Sequence, residues 1–364
     1  MSEWNPIVVL PNMDPRGTVD CDITALVPPH DERIKVICRA HPQFKKSLAK
    51  FRDQFKQQIW PAVIILRADA ADSYQTTEAI AGFRDLVSLS TVPYSRSISL
   101  KYNRPNQLCF SNTFAIYPWM VDKKFEDLIS ITPAIRAMHL VEEFGGQSSP
   151  ELPVISVTEG DIDSSLLKIL LDRWVKRYSG QNADWPDRAL FRSLNMANQA
   201  ALTPGATDST FYDVGRTIAL WISALEILAH PGTSMSGKDT VYGLLEKVDW
   251  IVSDLASPNY DVGKKTSKKN LACWICSALY QLRNDFLHGN AVSGDKLLSN
   301  TKKPMTHYAA CVYRLALTSF LPVAFPKIAP DNDSEAIGKY ISERMRFLKY
   351  QRTIEEALRT AIPK

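Results

Sequence analysis

The sequence predicts a predominantly helical protein in two main parts: an α+β region over residues 1–150, then an all-α antiparallel helical bundle over 151–325. A C-terminal helical extension follows over 326–364. Three observations carry this expectation. Short β-branched runs alternate with helical periodicity in the first part. A stretch rich in turn formers, Gly145 to Pro150, marks the boundary. From Ser164 onward, apolar residues recur at three- and four-residue spacing through successive segments with short connections.

In the first region, Ile7 to Leu10, Ile34 to Cys38 and Ala62 to Leu66 are β-branched runs closed by proline or polar residues, and each reads as a strand. Gln43 to Gln58 and Thr76 to Leu89 carry apolar residues at helical spacing among charges, and read as helices. In the second region the periodicity predicts helices over 164–178, 186–201, 209–229, 239–254, 270–288 and 306–321, with shorter helical segments to the end. The one long connection is 255–269, because other links between packed helices are short.

Composition narrows the classes open to such a chain. Its 364 residues, 45% hydrophobic and 23% charged, lie in the globular range and leave no block of like charges that would stay unfolded. The formal charge of +4 permits an anionic partner without demanding one. Six dispersed cysteines do not make a secreted disulfide framework and are expected as reduced thiols. The opening Met-Ser-Glu-Trp-Asn-Pro carries no basic stretch leading into an apolar run, and Ser223 and Glu226 interrupt the longest apolar stretch, Ile218 to Ala229. Neither a signal peptide nor a membrane span is expected, and the chain reads as cytoplasmic.

Chemistry concentrates in Leu279-Tyr-Gln-Leu-Arg-Asn-Asp-Phe-Leu-His-Gly289. At about 100° per residue, Ile275, Leu279, Leu282 and Phe286 form one apolar row for the bundle to bury. Ser277, Tyr280, Asn284 and His288 form a row roughly opposite. A lone histidine in a bundle is ordinarily a packed core residue. His288, however, lies off the apolar row and just before Gly289, a helix terminator, where the helix dipole favours a cation. A histidine at the edge of a groove can give or take a proton near neutrality. Arg283 lies about 140° around the helix from His288, so only its long arm can bring the two onto one ligand.

This segment resembles the signature of the HEPN superfamily, R-N-x-x-x-H near the end of one helix of a small bundle, and Arg283, Asn284 and His288 match it in full. Arg188-Ala-Leu-Phe-Arg-Ser-Leu-Asn195 and Ile218-Ala-Leu-Trp-Ile-Ser-Ala-Leu-Glu-Ile-Leu228 are similar to the upstream helices of the Apea-like branch, in which a glutamate interrupts an apolar helix. The resemblance spans residues 160–325. It implies a metal-independent endoribonuclease that needs no cofactor and works as a homodimer on RNA, as a defence or toxin-like effector with an antitoxin or other regulatory partner. On that implication His288 is the general acid or base, Arg283 stabilises the transition-state charge, and Asn284 orients substrate by hydrogen bonding. The competing reading is a non-catalytic HEPN module for RNA or ligand binding or for protein assembly.

Glu226 sits inside an apolar helix, where a carboxylate needs a partner. That partner is either Arg283, or water along a polar flank with Ala219, Ser223 and His230. Lys264, Lys265, Lys268 and Lys269 precede the motif helix and form either a phosphate contact or a solvated loop. Tyr280 either stacks on a base or packs.

Other motifs carry less. Gly232 to Lys238 has P-loop spacing, but Asp239 replaces the magnesium-binding hydroxyl and a helix, not a strand, precedes it. Cys273-Trp-Ile-Cys276 lacks a second ligand pair for a metal. Asp161 and Asp163 read as helix caps. His30, His41 and His139 stand alone, so no catalytic constellation is expected in the first region.

Overall fold

The strands alternate in direction because short turns and small excursions join neighbours in space. In the computed structural model, residues 3–53, 55–102, 109–121, 128–130, 144–145, 154–180, 184–202, 210–232, 237–263, 267–323 and 334–362 are described. The first segments run β1 (Trp4–Leu10), β2 (Met13–Pro15), β3 (Val19–Asp20), β4 (Thr24–Val27), α1 (Glu32–Ala40), α2 (Pro42–Leu48), β5 (Phe51–Arg52), β6 (Ala62–Arg67) and α3 (Thr77–Tyr102). Then come β7 (Tyr117–Val121), β8 (Leu128–Ser130), β9 (Phe144–Gly145), β10 (Ile155–Val157) and α4 (Ser164–Tyr178). The remainder is α5 (Trp185–Ala200), α6 (Phe211–Ala229), α7 (Lys238–Leu245), α8 (Ser253–Ala256), β11 (Tyr260–Val262), β12 (Ser267–Lys269), α9 (Leu271–Leu287), α10 (Met305–Phe320) and α11 (Ser334–Arg359).

The chain divides into two compact units. One takes residues 1–87, 110–162 and 174–181; the other takes 88–109, 163–173 and 182–364. In the first, an antiparallel sheet runs in the order β3-β4-β6-β1-β7-β8. Val9, Val27, Val63 and Ile65 point from it into a core closed by Ile34, Ile37, Phe44 and Leu48 of α1 and α2. Every residue of β6 from Ala62 to Leu66 is buried, as expected of a strand covered on both faces. Trp174 anchors a separate aromatic cluster with Tyr74, Phe83 and Tyr178, and its indole N–H donates to the Ala79 carbonyl at 2.8 Å.

Two expectations for this unit are corrected. Ile34 to Cys38 is not a strand but the middle of α1, capped by Asp31, whose carboxylate accepts from the Arg33 N–H at 2.9 Å. Burial explains the outcome: Ile34 and Ile37 face the core while Val36 is exposed, a helical phase that overrides β-branched preference. Gln43 to Gln58 is not one helix. The helix stops at Leu48 and Phe51 enters β5, paired in parallel with Phe144. Thr76 to Leu89 is helical as expected, and α3 continues past it to Tyr102.

The second unit is a helical bundle in which α6 packs against α5, α9 and α10. Ser193 of α5 donates to the Ala224 carbonyl of α6 at 2.7 Å, a close approach that a small side chain permits. Helices α4, α5, α6, α9 and α10 fall within two residues of their predicted spans. The expected helix 239–254 is instead α7 and the single turn α8, because the intervening Ile251 and Val252 N–H groups donate to the Glu355 carboxylate at 2.9 and 2.8 Å. Burial raises the Glu355 carboxyl above its ordinary range, and these hydrogen bonds oppose the rise. The connection 255–269 contains the β11–β12 hairpin. Past residue 333 the chain forms one long helix, not shorter segments. The proposed boundary at Gly146 to Pro150 lies outside the described residues, as does His139.

Asp163 does more than cap. Its Oδ1 accepts from the Leu166 N–H at 3.2 Å, and its Oδ2 accepts from Nε and Nη2 of Arg314 at 2.9 and 2.7 Å, both side chains being buried. Gln351 accepts a third hydrogen bond from Arg314, which satisfies the guanidinium inside the bundle. Asp161 forms a capping box with Thr158. Among the described residues, no helix is long and apolar enough to cross a membrane.

Candidate active site

Helix α9 carries the motif, and its ends are set by local chemistry. Asn270 caps the start by accepting from the Cys273 N–H at 3.0 Å. At the other end Gly289 adopts φ +68°, the Gly289 N–H donates to Phe286 O at 3.3 Å, and the Asn290 N–H donates to Asp285 O at 2.9 Å. That pair of bonds is a Schellman termination, and it leaves His288 as the capping residue, exposed to solvent.

The apolar row behaves as its phase requires. Ile275, Leu279 and Leu282 are buried, and Phe286 lies against the start of α6, with its ring centroid 5.5 Å from that of Phe211. A Cβ at Gly215 would fall 2.5 Å from Phe286 Cγ, so the two helices meet here only because residue 215 is glycine.

Glu226 and Tyr280 are brought together: the Tyr280 hydroxyl donates to Glu226 Oε1 at 3.1 Å. Burial, reinforced by the neighbouring carboxylate, pushes the Tyr280 phenol far above its ordinary range, so it stays a proton donor. The expected Glu226–Arg283 ion pair is not among the salt bridges of the described residues. Tyr280 takes the carboxylate, and Arg283 is half-buried with its Nε enclosed and without a hydrogen-bond partner among the described residues. Asn284 is half-buried, and its carbonyl accepts from the His288 N–H at 2.9 Å.

Of the four lysines ahead of the helix, Lys264 and Lys265 lie outside the described residues. Lys268 pairs with Asp261 at 3.0 Å across the hairpin, and Lys269 pairs with Glu246 at 2.7 Å. Such surface pairs are weak and exchange readily with a phosphate. Burial pushes the Cys273 thiol up to about 12 and the fully buried Cys276 thiol higher still, so neither is a ready thiolate. No group of three or more His, Cys, Asp or Glu side chains that could hold a metal ion occurs among the described residues.

The sequence reading missed Asp285, the residue between Asn284 and Phe286. Its Oδ1 accepts from Gln281 Nε2 at 2.9 Å and Asn290 Nδ2 at 3.2 Å, while its Oδ2 lies 3.5 Å from the Lys296 ammonium. The hydrogen bond from Asn290 is the main cause holding its carboxyl below the ordinary carboxylate range, with Gln281 and Lys296 adding to it. Gln281, Asp285 and Lys296 share a cavity of about 460 Å³ with the apolar side chains of Trp274, Leu282 and Met305. Gln281 and Asp285 stand four apart on one helix, which is the signal the sequence did offer.

Comparison with protein-family models, with curated proteins and with solved structures finds no match to this chain.

Proposed function

We propose that the helical unit is a HEPN-type domain that binds RNA and cleaves it without a metal ion, with Arg283, Asn284 and His288 as its reactive set. One observation carries the reading. The complete R-N-x-x-x-H string ends a bundle helix whose Schellman turn holds the His288 imidazole in solvent, beside a helix that carries the half-buried Glu226.

In this reaction the 2′-hydroxyl of one nucleotide attacks the adjacent phosphorus. The O2′–P bond forms, the P–O5′ bond breaks, and a 2′,3′-cyclic phosphate and a 5′-hydroxyl result. His288 takes the 2′-hydroxyl proton or supplies one to the leaving oxygen. The Arg283 guanidinium meets the charge that builds on the phosphoryl oxygens, and Asn284 orients substrate by donating and accepting hydrogen bonds. Because about 140° of helix separates Arg283 from His288, we propose that two copies of the chain assemble one cleft.

A second reading has its own support. The enclosed Arg283 Nε faces the bundle, which favours a non-catalytic module in which this residue is structural.

Cleavage of labelled single-stranded and transfer RNA in excess EDTA separates the two. The catalytic reading expects cleavage by the wild type, and its loss in His288→Ala and Arg283→Ala. A folded wild type that leaves RNA intact turns the assignment to the binding module.

A further inference from the structure

The cavity beside α9 has the size and make-up of a small-molecule site: about 460 Å³, mostly apolar walls, and a few convergent polar groups. The polar groups are an unusual set for a structural void. Asp285 is 7% exposed, yet it is neither paired at close range nor neutralised by hydrogen bonds alone. Its Oδ1 is committed to Gln281 and Asn290. Its Oδ2 has only the Lys296 ammonium among the described residues, at 3.5 Å and on a side chain 52% exposed. A carboxylate oxygen can accept two hydrogen bonds, so acceptor capacity is left over at a wall of the cavity.

The charge balance decides what would use it. Lys296 already offsets the negative charge, so a plain cation gains little. A neutral ligand gains most if it offers hydrogen-bond donors to Asp285 and an acceptor to Lys296, on a flat apolar body that lies against Trp274 and Leu282.

Among the nucleobases, guanine alone presents this edge without conflict. N1–H and N2–H are adjacent donors for the carboxylate, and O6 is the neighbouring acceptor for the ammonium. Adenine offers one donor and one acceptor. Cytosine and uracil turn a carbonyl oxygen toward the carboxylate. The hydrogen-bonding pattern of the edge is therefore sufficient to discriminate.

We infer that this cavity is a binding site for a guanine base, with Asp285 reading N1–H and N2–H and Lys296 reading O6. Asp285 and His288 are one helical turn apart and separated by about 60° around α9, so a base held by Asp285 lies on the face next to the proposed acid or base. That the base belongs to RNA rests on the proposed function. The cavity's preference for guanine does not.

Titration calorimetry of the full chain with guanosine 3′-monophosphate tests this, with the adenosine, cytidine, uridine and inosine nucleotides as comparators. Saturable binding of one guanosine nucleotide per chain is expected, about tenfold or more tighter than the adenosine, cytidine and uridine forms. Inosine, which lacks only the N2 amino group, should bind several-fold more weakly than guanosine, a comparison that needs no protein variant. Asp285→Asn should abolish the preference, and His288→Ala should retain it. No saturable binding, equal affinity for the four standard nucleotides, or a preference untouched by Asp285→Asn would overturn the inference. If the guanosine nucleotide binds as described but a guanine-containing oligoribonucleotide does not compete for the site, the pocket stands and the RNA reading fails.

Discussion

The phenolic hydroxyl of Tyr280 donates to Glu226 Oε1 at 3.1 Å, which ties the motif helix α9 to the one carboxylate in the apolar stretch of α6. Tyr280→Phe leaves that carboxylate short of a donor and should destabilise the chain by about 1–2 kcal/mol. Glu226→Gln keeps an acceptor in place and should cost less. Denaturant unfolding monitored by circular dichroism distinguishes the two. Equal stability of Tyr280→Phe and wild type would show that solvent already satisfies Glu226.

Gly215 and Phe286 set the spacing of the same two helices. A Cβ at position 215 would lie 2.5 Å from the Phe286 ring, which leaves no room, so Gly215→Ala should destabilise by about 1–3 kcal/mol. On a Phe286→Ala background the same substitution should have little effect, and a double-mutant cycle measures that coupling.

Asp163 and Arg314 form a pair buried to 2% and 1% side-chain exposure. Asp163→Asn preserves the shape and the cap on Leu166 but leaves the guanidinium without its countercharge. A loss of about 3 kcal/mol is expected from thermal or denaturant unfolding.

His307 provides the pH dependence. Arg96 donates through Nη1 to His307 Nε2 at 3.2 Å, so that nitrogen must be unprotonated, and burial together with the guanidinium pushes the imidazole down to about 3. The folded value lies below the ordinary 6.5, so the unfolded chain binds the extra proton between them. Stability contributed by the neutral ring is complete above pH 6.5 and is lost as pH falls towards 3. An NMR titration should show one imidazole that does not protonate between pH 7 and about 4, and His307→Gln should flatten the acid side of the stability profile.

Much of the bundle is legible in the sequence because its signals are local. Asn270 and Gly289 bracket α9 as a cap and a left-handed terminator, and the row Ile275, Leu279, Leu282 and Phe286 fixes its buried face. Where distant contacts decide, the sequence misleads. The break between α7 and α8 is held by Glu355, about a hundred positions further on, and nothing near Ile251 announces it. Ile34 to Cys38 has strand-like composition, yet the sheet accepts it only as a helix burying Ile34 and Ile37. At the candidate site, Asn284 and His288 fall where helical phase puts them. Asp285 passes as a spacer inside the motif because its partners Asn290 and Lys296 arrive from beyond the helix end, and the Glu226 partner is misread because Tyr280 and Arg283 are both within a turn of reach.

The end groups of cleaved RNA test the central claim most directly. With purified protein in excess EDTA, single-stranded RNA should yield 2′,3′-cyclic phosphate and 5′-hydroxyl ends. A substrate with 2′-deoxyribose at the scissile nucleotide should resist, and His288→Ala should be slower by about a hundredfold or more. Cleavage of the deoxy-substituted substrate, products with 5′-phosphate ends, or an unchanged rate in His288→Ala would contradict 2′-hydroxyl attack assisted by His288.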